Sequence, residues 1–354
     1  MTTTTDNNNS SSSSNETLKP TRVLITGASG YLGQHLIHTL QQQQQQQHLQ
    51  DENNDKDGTN GIELYCLFRS MEGFHESVKD VPIVKDVSSL DLTDSKAVKD
   101  YFRDKAGTGS NDDNKTASSS FDVCIHLAAM SSPRKCHEDP QGARAANVPV
   151  AFLSALPKDI LMVALSTDQV YDGTSAPYSN NALPNPVNVY GTTKLQMELY
   201  IKANFDRCVV LRSSILLGPD APYCDKAHNT FVQFCKSRQG QHTTFYTDEC
   251  RSVCGVKDAT RVLQYFVRNH GQHHQTEVFN MGGPERVSRW DMATAVARHC
   301  GFDAEPHFEK ALKADQPTGP MASPLDISMD SGELSKVTRV QMRPLSEVLE
   351  ETFP

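Results

Sequence analysis

The sequence predicts an α/β protein: a doubly wound parallel sheet with helices on both faces, followed by a smaller C-terminal lobe. Three observations carry that expectation. Short, solidly apolar runs alternate with helical patterns over the first 214 residues. The first apolar run empties into a glycine-rich turn, TGASGYLG. Beyond residue 214 the alternation loosens into loops rich in Pro and Gly.

RVLITG (22–27) is a short β-branched run closed by glycine, which reads as a buried strand, with a helix following at 31–40. IELYCLF (62–68) is the second strand. A weaker one lies near 83–91, before a helix at 94–104. FDVCIHLA (121–128) is the third clear strand, followed by a helix at 141–156 that Pro157 stops. DILMVALST (159–167) and CVVLRSS (208–214) complete the set, separated by a helix at about 188–204. Apolar residues on both faces of these strands fit a sheet covered on both sides. In the lobe, helices are expected near 228–238, 288–300 and 344–352. A strand is expected at EVFN (277–280), where the chain is ready to rejoin the sheet.

Three segments stand apart. Residues 1–20 are almost all Thr, Asn and Ser; 41–60 opens with seven glutamines; 106–120 reads AGTGSNDDNKTASSS. None carries enough apolar surface to offset the entropy of ordering, so they are expected to be a tail and two flexible insertions. More than half of the net charge of −9 lies in them, and no Lys/Arg run interleaves with aromatics. A nucleic-acid or anionic-membrane surface is therefore not expected. No apolar run approaches the ~20 residues of a membrane span, and the N-terminus has neither signal-peptide nor transit-peptide character, so a cytoplasmic location is expected. Nine cysteines, several within apolar runs (Cys66, Cys124, Cys208), read as reduced core residues. Cys250 and Cys254 lack a second Cys/His pair at finger spacing, so no metal is expected. Asp248-Glu249 reads as a solvated loop.

Gly27, Gly30 and Gly33 lie between the first strand and the first helix. Glycine there permits a tight turn and close approach of backbone to a pyrophosphate, and the helix N-terminus offers free N–H groups to the anion. The architecture expected is thus Rossmann-type. A dinucleotide-binding second strand usually ends in an acid for the ribose hydroxyls. Here it ends in Arg69 and Ser70. A guanidinium suits a 2′-phosphate, so NADP(H) is expected ahead of NAD(H), the alternative being an arginine that only solvates a strand end.

Tyr190 and Lys194, in YGTTK, share a helix face at i, i+4 after a proline-rich loop. An ammonium beside a phenol favours the phenolate, which would draw Tyr190 towards neutrality as a proton donor and acceptor. Ser166-Thr167-Asp168 ends the fourth clear strand, where ligands bind in open α/β sheets, and a hydroxyl there can hold a substrate oxygen.

TGASGYLG, HLAA (126–129), STDQVYDG (166–173) and YGTTK together closely resemble the extended short-chain dehydrogenase/reductase superfamily. STDxVYDG, then PY, then PxNxYGxxK, resembles its dTDP-4-dehydrorhamnose reductase branch, which also includes the regulatory β subunit of methionine adenosyltransferase. The resemblance runs from about 21 to 350. It implies an NADP-binding domain at 21–213 and a substrate-binding lobe at 214–354, interleaved with the sheet around 255–283. Thr167, Tyr190 and Lys194 would be catalytic, Lys194 also holding the nicotinamide ribose. Gly27, Ser29, Gly30, Tyr31, Leu32 and Gly33 would cradle the cofactor with Leu127, Ala128 and Ala129. Asp91 and Leu92 would meet the adenine. Asn147 would support the site, and Asp168, Gln169 and Arg251 would face the substrate.

The activity implied is NADPH-dependent reduction of a 4-keto sugar nucleotide, in a homodimer or with a partner enzyme. The alternatives are a catalytically weak NADP-binding regulatory subunit, or an epimerase or dehydratase. Asn180 stands where the family commonly has an acid, and Gln169 where reductases often carry an aromatic. Both departures bear on the substrate.

Overall fold

A computed structural model describes residues 19–54, 61–105, 121–224, 230–305, 307–316, 319 and 321–354. Its centre is a seven-stranded sheet of β1 (Thr21–Thr26), β2 (Ile62–Phe68), β3 (Val84–Ser89), β4 (Val123–His126), β5 (Leu161–Thr167), β6 (Arg207–Ser213) and β7 (Thr276–Met281). The spatial order is β7-β6-β5-β4-β1-β2-β3, every pair parallel. The order reverses between β1 and β4, and this switch point is where open α/β sheets bind ligands.

Successive side chains leave a strand on opposite faces, and the core divides accordingly. Val23 and Ile25 join one cluster with Leu36, Ile37, Leu263 and Phe266, beneath the helices Tyr31–Asn54 and Val256–Arg268. Leu24 joins the other, with Phe152, Met162, Met197 and Ile201, beneath Val189–Asn204. A third cluster, including Phe245, Met292, Val296, Phe308 and Leu349, holds the C-terminal lobe together. Among the described residues no helix is long and apolar enough to cross a membrane.

Two expectations are corrected, and one long helix was missed. The first helix does not end at residue 40; it continues through the glutamine run to Asn54. Glutamine is a good helix former, and here it is also anchored. Gln41 is buried, Gln44 Oε1 accepts from the Ile62 amide at 2.9 Å, and Gln47 Oε1 accepts from the Arg268 guanidinium at 2.8 Å. The tail at 1–18 and the insertions at 55–60 and 106–120 lie outside the described residues. The helix expected at 141–156 is two helices, Pro140–Asn147 and Val150–Leu153. Pro149 has no N–H to continue the ladder, and the residue before it, Val148, is pushed out of the helical region to φ −125°. The helix Val256–Arg268 was not anticipated, although Val256, Ala259, Val262, Leu263, Phe266 and Val267 mark its buried face at helical spacing.

Candidate active site

The turn after β1 is built around two glycines that no other residue replaces. Gly27 has φ +69°, and a Cβ there would lie 2.7 Å from the Ala128 amide nitrogen. A Cβ on Gly33 would lie 2.6 Å from the carbonyl oxygens of Gly27 and Ala28. The first glycine lets β1 run hard against the end of β4; the second lets the helix sit directly on the turn. A cavity of about 570 Å³ opens above them. Its floor is Gly27, Ser29, Gly30, Tyr31, Leu32 and Gly33, its far end Arg69, Ser70, Asp91 and Leu92, and its near wall Leu127, Ala128 and Ala129. Every residue expected at the cofactor therefore lines one cavity, except Tyr190 and Lys194. Thr93, Ser131, Ser132 and Lys135 line it too and were not foreseen. Ser132-Pro133 is an N-cap followed by an N1 proline, a legible helix start directly after HLAA.

At the far end Arg69 is exposed, and Asp91 is held below the usual carboxylate range. The Thr93 amide and hydroxyl bonded to its Oδ1 are the main cause, with the Arg69 cation adding to it.

The polar residues after β5 lie beyond the near wall. Asn147, buried, spans the two regions: its Oδ1 accepts from the Met130 amide at 2.7 Å, and its Nδ2 donates to Thr193 Oγ1 at 2.8 Å. Thr193 Oγ1 donates in turn to the Tyr190 carbonyl at 2.9 Å. Asn188 caps this helix, accepting from the Gly191 amide at 2.9 Å. Tyr190 is half-buried, with the Thr167 hydroxyl in hydrogen-bonding reach.

The titration of this pair differs from the expectation. Burial pushes the Tyr190 phenol up; the Thr167 hydroxyl opposes this and the nearby Asp168 carboxylate adds to it. Lys194 is buried, with Nζ 3.4 Å from Met197 Sδ, and burial lowers it to about 8 against the opposing pull of Glu198. Burial is the largest influence on both groups, and it holds Tyr190 as the neutral phenol.

Asp168 and Arg251 are both buried. Asp168 accepts from Thr167 Oγ1 at 3.1 Å and from Ser214 Oγ at 2.9 Å, and burial raises it above the usual range against these partners. Arg251 approaches it to 4.0 Å, but its Nη1 donates to the Cys250 and Leu325 carbonyls and its Nη2 to Glu249 and the Pro324 carbonyl. That guanidinium is engaged inside the protein and presents no open face to a phosphate. Asp248-Glu249 is no solvated loop: Glu249 also pairs with Arg289 at 2.9 Å, and Asp248 accepts from the Lys313 and Ala314 amides. Gln169 Oε1 accepts from Asn188 Nδ2 at 2.8 Å. Asn180 uses both ends of its amide, donating to Glu333 and accepting from the Asn280 amide, where a carboxylate would meet Glu333 as a like charge.

Comparison with known proteins places this geometry in a family. The model of the RmlD substrate binding domain matches residues 21–353. The β subunit of mouse methionine adenosyltransferase 2 is 24% identical over 343 residues, covering 94% of this chain and 87% of its own. The dTDP-4-dehydrorhamnose reductase of Bacillus anthracis, solved in complex with NADP, superposes with a TM-score of 0.67 at 18% identity, over 94% of this chain and 99% of its own. The UDP-glucose 4-epimerase of Thermotoga maritima, solved with UDP-glucose, gives 0.68 at 18% identity, over 94% and 97%. The glycine turn at the switch point of the sheet and the family match over nearly the whole chain lead to one conclusion: this protein belongs to the RmlD substrate binding domain family, within the extended short-chain dehydrogenases/reductases.

Proposed function

We propose that the protein is an NADPH-dependent reductase of a 4-keto sugar nucleotide. The observation that carries this reading is the Tyr190 phenol, in the first turn of the Val189–Asn204 helix, facing the Thr167 hydroxyl at the end of β5. A bound nicotinamide dinucleotide supplies hydride. The fit is supported by the Gly27 and Gly33 cradle, which a Cβ would fill, and by the cavity above it. Arg69 would hold a 2′-phosphate, and the N-terminus of the first helix would meet the pyrophosphate. Thr167 would hold the carbonyl oxygen. Tyr190 would give that oxygen its proton as the carbon accepts hydride, yielding the alcohol and a phenolate that solvent reprotonates. A phenol kept protonated is poised for the reducing direction.

The test is NADPH consumption with a dTDP-linked 4-keto-6-deoxyhexose, beside Tyr190→Phe. Turnover should fall by ~10²–10⁴ in the variant while NADPH affinity is kept. Absence of turnover in the unaltered protein, with NADPH bound, would overturn the reading.

A second reading is favoured by a specific observation. Arg251, the cation expected at the substrate phosphates, is buried on carbonyls and Glu249. A protein that binds the dinucleotide and regulates a partner has no need of that arginine, and the mouse relative is named as a subunit of methionine adenosyltransferase 2. Stoichiometric recovery of a methionine adenosyltransferase with the tagged protein, at unchanged NADPH binding, would support it.

A further inference from the structure

Gln34 follows Gly33 of the cradle in the first turn of the Tyr31–Asn54 helix, and it is fully buried. A buried primary amide needs partners for two donor hydrogens and an acceptor oxygen. Gln34 finds them in three separate parts of the chain. Its Nε2 donates to the Ser29 carbonyl at 2.8 Å and to Met71 Sδ at 3.7 Å, and its Oε1 accepts from the Tyr223 amide at 3.1 Å. Ser29 belongs to the cradle, Met71 to the turn after β2, and both line the dinucleotide cavity. Tyr223 belongs to the C-terminal lobe, and its contact is one of several. Tyr31 Oη donates to the Pro219 carbonyl at 2.9 Å, and His35 Nε2 stands 3.3 Å from the same oxygen. The His38 ring meets that of Tyr223 edge-on, with centroids 5.9 Å apart. The segment 219–223 is thereby fixed on the first two turns of the helix, and the Gln34 amide is held between it and the cradle.

The turn after β2 matters because it carries Arg69, directly after the last residue of the strand. On one side the turn is tied to β3, whose Ser89 Oγ donates to the Arg69 carbonyl at 2.9 Å. On the other side it is tied to the first helix by Gln34, through Met71 two residues on. A thioether is a weak acceptor, but the amide that reaches it is already fixed by two backbone partners. In a dinucleotide the 2′-phosphate and the pyrophosphate are a set covalent distance apart. Protein groups that meet both bind best when their own separation is fixed in advance.

We infer that Gln34 is the positioning residue that sets the Arg69 turn against the glycine cradle, and with it the preference for a dinucleotide bearing a 2′-phosphate. Gln34 does not line the cavity itself and acts through Ser29 and Met71. The inference rests on the proposed NADPH reading and is measurable without turnover.

The experiment is a fluorescence titration of the full chain with NADPH and with NADH, each variant being checked for folding by its urea midpoint. The variants are Gln34→Met, Gln34→Glu, Arg69→Asp and Gln34→Met/Arg69→Asp. Gln34→Met removes all three bonds at similar volume. Gln34→Glu keeps the acceptor for Tyr223 and loses both donors, so it reads the same contacts should the first variant not fold. The NADPH/NADH affinity ratio should fall about 3–10-fold in either one. In the Arg69→Asp background the loss of Gln34 should leave the ratio where Arg69→Asp alone puts it, because no guanidinium remains to be positioned. An unmoved ratio, including an equal loss of both affinities, makes Gln34 a structural amide and overturns the inference. A further fall in the double variant overturns it too, since the effect would not pass through Arg69. If Arg69→Asp itself leaves the ratio unaltered, the NADPH reading falls together with the inference. If Arg69→Asp collapses the ratio and Gln34→Met does not move it, the reading stands and the inference alone falls.

Discussion

The dinucleotide cradle and the Asp168–Arg251 corner both sit on the carboxyl edge of the same sheet, yet they are built in opposite ways. The cradle is open: a turn built on glycines, a helix N-terminus, and an exposed Arg69 around a cavity of about 570 Å³. The corner is closed. Asp168, Arg251, Glu249 and Arg289 spend their charges on one another and on carbonyls, with both Asp168 and Arg251 buried. An open polar surface is available to a ligand at little reorganisation cost; a closed ionic corner must first lose its internal partners. The structure is ready for a dinucleotide and not, in this arrangement, for a phosphate at Arg251.

The sharpest way to break that comparison is Arg251→Met. If the guanidinium is an internal strut, its loss leaves Asp168 without its buried cation and the Leu325 and Pro324 carbonyls without their donor, and should lower unfolding free energy by about 3–5 kcal/mol in a denaturant titration. A substrate arginine would instead leave stability nearly unchanged and raise KM.

Acid should weaken the cradle side through two histidines. Burial lowers His35 to about 4 and His126 to about 3, from an ordinary 6.5. The unfolded chain therefore takes up these protons first as pH falls. The stability is complete above about 6.5 and declines below it, by about 1.4 kcal/mol per pH unit for each histidine, until the folded values are reached. Urea midpoints measured from pH 7 to 4 should fall accordingly, and the slope should become shallower in His35→Gln. An unchanged slope would mean that His35 does not bind its proton late.

Arg69→Asp probes the open end. NADPH affinity should fall about 10–100-fold and the NADPH/NADH ratio should collapse, read by fluorescence titration. An unaltered ratio removes Arg69 from cofactor choice. The smallest effect expected is that of Gln44→Ala, which deletes the bond to the Ile62 amide. A loss of about 0.5–1.5 kcal/mol would confirm that the glutamine helix braces β2, and no loss would make it an idle extension.

Much of the fold was legible because its signals are local. Apolar runs predicted six of the seven strands to within a few residues and the weaker β3 at 84–89 as well, since a buried parallel strand must be apolar on both faces. The glycine turn was legible for the same reason: φ +69° at Gly27 is a property of that residue's own backbone. Composition misled at residues 41–54, where a polar run reads as flexible but the helix is held by Ile62 and Arg268, neither of them close in sequence. The thirteen cradle residues were readable from motifs at strand ends. Lys135 was not, because its place depends on how the Pro133–Glu138 helix docks over the cavity.

By itself the sequence determined the seven strands of the sheet in chain order, the turn that only glycine can make, and the placing of Tyr190 and Lys194 four residues apart on one helix. Each follows from backbone geometry within a few residues. The tertiary structure alone decided the charge states and the openness of the site. Burial pushes the Tyr190 phenol further up and lowers Lys194 to about 8, against the opposing pull of Glu198. Arg251 is unavailable because carbonyls more than seventy residues away close around it. Desolvation and long-range hydrogen bonding exist only once the chain has folded, and no spacing of residue types encodes their balance.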